Sequence, residues 1–199
     1  MEPTHLVAGL GNPGREYART RHNAGFLVLE ALARRWRAEW RAEKKFHSRL
    51  ARGERAGQKV LLCQPQTFMN ASGEAIGALA RYYQVPPARV LVVVDDADLP
   101  VGTLRLRPGG TSGGHHGLES VEAHLGTRDY PRQRLGIGRT ETGARQITGH
   151  VLAAFGRAER PVLEKVWPRA CEQIECWLEH GVAAAMNRYN GAMEIEKDD

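Results

Sequence analysis

The chain has 199 residues, enough for one domain with a proper core, and its 42% hydrophobic and 26% charged content suits an ordinary soluble globular protein. No apolar run approaches the ~20 residues a membrane helix needs, and Met1–His5 does not resemble a signal peptide, so the expectation is a cytoplasmic protein off the membrane. The net charge of +5 is uneven: ten Lys/Arg against three Glu lie between Arg34 and Lys59, which points either to a polyanionic partner such as nucleic acid or to a solvated helix face.

Leu6–Leu10 is apolar and reads as a buried strand, cut off by Gly9, Gly11, Asn12, Pro13 and Gly14. After a polar segment, Phe26, Leu29, Leu32, Ala33 and Trp36 recur at helical spacing, with Asn23 placed as an N-cap. Phe46–Arg52 and Lys59–Gln64 read as two strands joined by a turn at Gly53–Gly57. A second helix follows Phe68–Met69–Asn70 and carries Ala75, Ile76, Leu79, Ala80 and Tyr83, with Pro86–Pro87 ending it.

Val90–Val94 has no polar alternation and reads as a central strand covered on both faces, ending in Asp95–Asp96–Ala97–Asp98. Thr103–Arg107 alternates as an edge or half-exposed strand does. A glycine-rich loop, Gly109–Gly117, leads into a helix over Leu118–Leu125, and Arg132–Gly138 reads as the last strand. Arg157–Gly181 is helical in pattern, and Pro168 means either a kink or a new start. Together these predict one α/β domain over 1–191, with a mixed, twisted sheet flanked by helices, and an acidic tail over 192–199. Cys63, Cys171 and Cys176 lack metal-type spacing, so neither a disulfide nor structural zinc is expected.

Gly9, Gly11 and Gly14 fit the spacing of a dinucleotide-binding loop, but the helix opens too late for its N-terminus to meet a pyrophosphate. His22 is better placed for chemistry. It lies just ahead of a helix N-terminus, which favours a neutral imidazole, and Asp95 at the end of the central strand can hold its second nitrogen. On spacing alone, a surface histidine and a turn-forming aspartate remain the commoner reading. Asn12, Asn70 and His116 also stand at strand ends and helix starts, where a side chain that both donates and accepts could hold a carbonyl and a water. The G-G-T-S-G-G-H-H-G loop could be a phosphate cradle or a metal site, but it lacks a Walker-type G-K-[ST] and an i, i+4 ligand partner.

In their order along the chain, G-L-G-N-P-G with Tyr17, T-R-H-N-A-G, Q-T-F-M-N-A-S-G, V-D-D-A-D-L-P-V-G and G-G-H-H-G-L resemble bacterial peptidyl-tRNA hydrolase, as do L-G-I-G and T-G-H-V-L after them. The resemblance runs from about Leu6 to about Tyr189. It implies a metal-free, cofactor-free, monomeric cytoplasmic enzyme that cleaves the ester between a peptide and the 3′ ribose of tRNA. By the same resemblance His22 is the base that activates water, Asp95 orients it, and Asn12 helps to distinguish N-blocked from free aminoacyl-tRNA. Tyr17, Phe68 and Asn70 bind the substrate's 3′ end and peptide backbone, Met69 lines the pocket, and Arg105, Arg107 and Arg134 face tRNA phosphates. His115 and His116 fall among the substrate-binding residues, and His116 stands where the family carries asparagine. Some members of the family are RNA-binding splicing factors, so a non-catalytic RNA-binding protein is the alternative.

Overall fold

The computed structural model describes residues 4–139 and 144–193. Its eight strands are β1 (His5–Gly9), β2 (Arg41–Glu43), β3 (Ser48–Arg55), β4 (Gln58–Pro65), β5 (Val90–Asp96), β6 (Thr103–Arg107), β7 (Arg132–Gly136) and β8 (Gly191–Ala192). They form one sheet in the order β2-β3-β4-β1-β5-β7-β6-β8. The central strands β4, β1, β5 and β7 run parallel, and antiparallel strands flank them on both sides. Five helices accompany the sheet: α1 (Ala24–Trp36), α2 (Ser72–Tyr82), α3 (His116–Leu125), α4 (Ala144–Val151) and α5 (Arg160–Tyr189).

The two faces of the sheet carry separate cores. Val7, Leu91 and Val93 pack with α1 and α5, whereas Leu6, Ala8, Val90, Val92 and Val94 pack with α2 and α3. A strand covered on both faces can be apolar at every position, which is why Val90–Val94 shows no alternation. β6 keeps its alternation, with Leu104 and Leu106 buried against α5 and Arg105 and Arg107 exposed on the other face.

Several boundaries differ from the sequence reading. β3 and β4 run on through Gly53–Arg55 to a two-residue turn at Ala56–Gly57, both with positive φ (50° and 71°), the conformation that suits the twist of a hairpin. Pro168 sits inside α5 on its exposed side, where water can satisfy the carbonyl that loses its partner. The break falls instead at Gly181 (φ 82°, ψ 175°). Beyond it the chain turns back on itself: Gln173 Nε2 donates to the Ala185 carbonyl at 3.3 Å, although twelve residues of straight helix would span about 18 Å. Arg132–Gly138 is not the last strand, because Gly191 and Ala192 pair with Leu104 and Thr103 of β6. Ala192, placed in the tail by the sequence, is therefore part of the sheet. Residues 194–199 lie outside the described residues.

Candidate active site

Three parallel strands, β1, β5 and β7, end at one edge of the sheet, and the loops beyond them enclose a cavity of about 430 Å³. In open α/β sheets that edge is where loops can converge without crossing the core. Asn12, His22, Asp95, Asp96, His115, His116, Arg134 and Arg139 line the cavity, with Thr148, Val151 and Leu152 of α4 and its C-terminal end forming one wall.

Asp95 continues the stripe of Leu91 and Val93 on the α1 side of β5, so its carboxylate is delivered beneath the start of α1 with only 2% of its side chain exposed. His22 lies in a short 3-10 turn, Arg21–Asn23, immediately before that helix. Its Nδ1 lies 2.9 Å from Asp95 Oδ2 and 3.1 Å from Oδ1, so Nδ1–H donates to the carboxylate and Nε2 is left as the acceptor. The turn is anchored from its other side: the Arg21 N–H bonds the Ala153 carbonyl, and the Arg21 guanidinium pairs with Glu159 at 2.9 Å and lies over Phe155.

A second histidine holds the same carboxylate. His115 Nδ1 accepts from the N–H groups of Gly117 and Leu118, capping α3, which fixes the proton on Nε2. That Nε2–H donates to Asp95 Oδ1 at 3.0 Å. Burial alone would raise the Asp95 carboxyl, but the electrostatic attraction and hydrogen bonds of His115 and His22 outweigh it and hold the group well below the ordinary carboxylate range. His22, Asp95 and His115 are also the one trio among the described residues whose donor atoms, all within 4.8 Å of one another, could share a metal ion.

Asn12 is held from three directions. Its N–H donates to Asn23 Oδ1 and its carbonyl accepts from Asn23 Nδ2, each at 2.9 Å, while its Oδ1 accepts from the Met69 N–H at 2.7 Å. Its Nδ2 is the group left for the cavity.

The remaining candidates are placed unevenly. His115, expected to bind substrate, lines the cavity, supports Asp95 and caps α3. The Met69 side chain, expected to line the pocket, is buried in the core, its sulfur close against Gly117, and only its backbone serves the site. His116 is 78% exposed at the cavity rim, with Nδ1 held by Glu119 at 3.0 Å. Tyr17, Phe68 and Asn70 do not line the cavity; Asn70 is exposed within the turn Met69–Ala71 and Phe68 is exposed just before it. Arg134 does line it, and ties Asp96 (3.4 Å) to the Thr111 carbonyl (3.0 Å), while Arg105 is its cross-strand neighbour. In the basic stretch before Lys59, Arg35, Arg49 and Arg55 are neutralised by Glu175, Glu30 and Glu179. This part of the chain lies on the β2–β3 side of the sheet, away from β6. Sequence reasoning missed Asn23, whose capping position concealed its role, and the wall formed by Thr148, Val151 and Leu152.

The peptidyl-tRNA hydrolase family model matches residues 6–198. A peptidyl-tRNA hydrolase of Synechococcus sp. (strain JA-3-3Ab) is 49% identical over 93% of this chain and 82% of its own length. One from Desulfitobacterium hafniense (strain Y51) is 47% identical over 93% and 98% respectively. Among solved structures, the peptidyl-tRNA hydrolase of Acinetobacter baumannii superposes with a TM-score of 0.90 at 35% identity, covering 96% of this chain and 97% of that one.

Proposed function

Since the chain belongs to the peptidyl-tRNA hydrolase family and is a hydrolase of the peptidyl-tRNA ester, we propose that His22, held by Asp95, is the base that activates the attacking water. The observation that carries this reading is the pairing of His22 Nδ1 with a buried carboxylate, which leaves Nε2 free to take a proton at the cavity. The water, placed over the ester carbonyl, gives its proton to Nε2 as the new C–O bond forms. Asp95, held below its ordinary range, remains ionised and stabilises the imidazolium. The same proton then passes to the departing 3′ oxygen of the ribose, which restores His22.

Asn12 offers its Nδ2 N–H groups to the substrate carbonyl, and losing one such preorganised donor typically costs ~2.7–4 kcal/mol. Phe68, Asn70 and Tyr17 flank the approach of the tRNA 3′ end and the peptide. Arg105, Arg107 and Arg134 supply contacts to acceptor-stem phosphates, which set position without reading base sequence. On this reading the 1–191 unit acts as a cytoplasmic monomer and needs no metal.

The test is peptide release from N-acyl-aminoacyl-tRNA, with and without chelator. Loss of a general base costs ~10²–10⁴-fold, so His22→Ala should fall by at least the lower figure, and Asp95→Asn should slow turnover while tRNA affinity holds. Near wild-type turnover by His22→Ala would show that another group is the base, and loss of activity with chelator would overturn the metal-free mechanism.

A further inference from the structure

Asn23 closes the 3-10 turn ahead of α1 with φ −94° and ψ 14°, outside the extended conformation from which an asparagine caps a helix, and its side chain makes no hydrogen bond to the first helical turn. It is 1% exposed, and its amide is turned the other way, onto the backbone of Asn12. There Oδ1 takes the Asn12 N–H and Nδ2 gives to the Asn12 carbonyl, each at 2.9 Å, so one side chain holds both backbone polar groups of a residue eleven positions earlier. With Asn12 Oδ1 fixed on the Met69 N–H, the direction of Asn12 Nδ2 is determined, and Asn23 is bonded in sequence to His22.

We propose that Asn23 is a positioning residue of the hydrolysis, locking the distance and angle between the Asn12 donor and the His22 base. The argument rests on the reading that Asn12 contacts substrate. The side chain gives nothing to the first turn of α1; both of its hydrogen bonds go to Asn12, so it clamps together the two groups that flank the reacting carbonyl. It reaches them through backbone atoms on one side and a peptide bond on the other, and touches no substrate itself.

The experiment is a double-mutant cycle on release from N-acyl-aminoacyl-tRNA, using Asn12→Ala, Asn23→Ala and the pair. A misplacement of about 1 Å at a reacting group can cost 10²-fold, so Asn23→Ala should lower kcat/KM by about that factor. The dissociation constant of uncharged tRNA should move by no more than about twofold, the scatter expected of independent sites. The Asn12→Ala, Asn23→Ala pair should be no slower than Asn12→Ala alone, because there is then no donor left to aim. Asn23→Asp keeps the size but sets an oxygen against the Asn12 carbonyl, and should behave as Asn23→Ala does. If Asn23→Ala does not fold, Asn23→Asp supplies the same cycle. Losses that multiply in the pair would reduce Asn23 to a structural residue and overturn the proposal, as would wild-type kcat/KM in Asn23→Ala. A silent Asn12→Ala would instead remove the reading of Asn12, and the role of Asn23 with it.

Discussion

Gly25→Ala tests how tightly α1 is pressed onto the strand ends. A Cβ at Gly25 would lie 2.4 Å from the Val93 carbonyl oxygen, 2.5 Å from Leu10 N and 2.6 Å from Leu10 O, whereas ordinary contact begins near 3.4 Å. All three are backbone atoms, and Leu10 N already donates to Val93 O at 2.9 Å, so no side-chain rotation relieves the clash. The helix start must move by about 1 Å, and His22 and Asn23 must move with it. Overpacking of this kind costs about 1–3 kcal/mol. At about 2–4 °C per kcal/mol for a chain of this size, Tm should fall by about 2–12 °C. A 1 Å shift at a reacting group should also lower kcat/KM about 10²-fold. Gly149→Ala in α4, where a Cβ would meet nothing within 4 Å, makes the same chemical change with the opposite expectation: unchanged or raised Tm. Thermal melts and release kinetics on both variants decide the matter. Gly25→Ala with wild-type Tm and kcat/KM would refute the claim that this backbone contact sets the position of the base.

If Arg105, Arg107 and Arg134 meet phosphates, each arginine-to-alanine change should reduce the slope of log affinity against log salt by about 0.7–0.9, and an unchanged slope in the triple variant would make them a solvated face. His116, held by Glu119 at the rim, stands where the family carries asparagine, so His116→Asn should hold or raise kcat/KM near neutral pH; a fall in kcat/KM would show that the histidine serves better than the amide. His5 is pushed down to about 4 by burial, with the charge of Arg89 adding to the effect. The unfolded chain therefore takes up a proton below about 6.5 that the native state refuses until about 4, so stability should fall as pH drops through that window, and His5→Gln should flatten the fall in denaturant melts.

The residues in which chemistry and packing agree were legible before the structure. Val90–Val94 announced a doubly covered strand with Asp95 at its end, but that His22, 73 residues away, faces this carboxylate was not legible in spacing, which favoured a surface histidine and a turn former. The rest depended on partners far along the chain. β2 and β8 are only three and two residues long, and they exist because β3 and β6 offer them an edge. Asn23 carries a strong capping signal that Asn12 overrides through a tertiary bond. The two adjacent histidines are alike in sequence, and only the turn into α3 sends His115 inward to Asp95 and His116 outward to Glu119. Pro168 looked like the place where α5 must break, but an exposed carbonyl can bond water, so the reversal occurs at the residue able to adopt positive φ.

β8 matters for what it covers. Asn190, just before it, donates to and accepts from the backbone of Leu106, and Gly191 and Ala192 then close the outer edge of β6. Without them the backbone of β6 would stand open along that edge, ready to pair with a strand from another chain, so the sheet's protection against edge-to-edge association on this side rests on a cover of three residues.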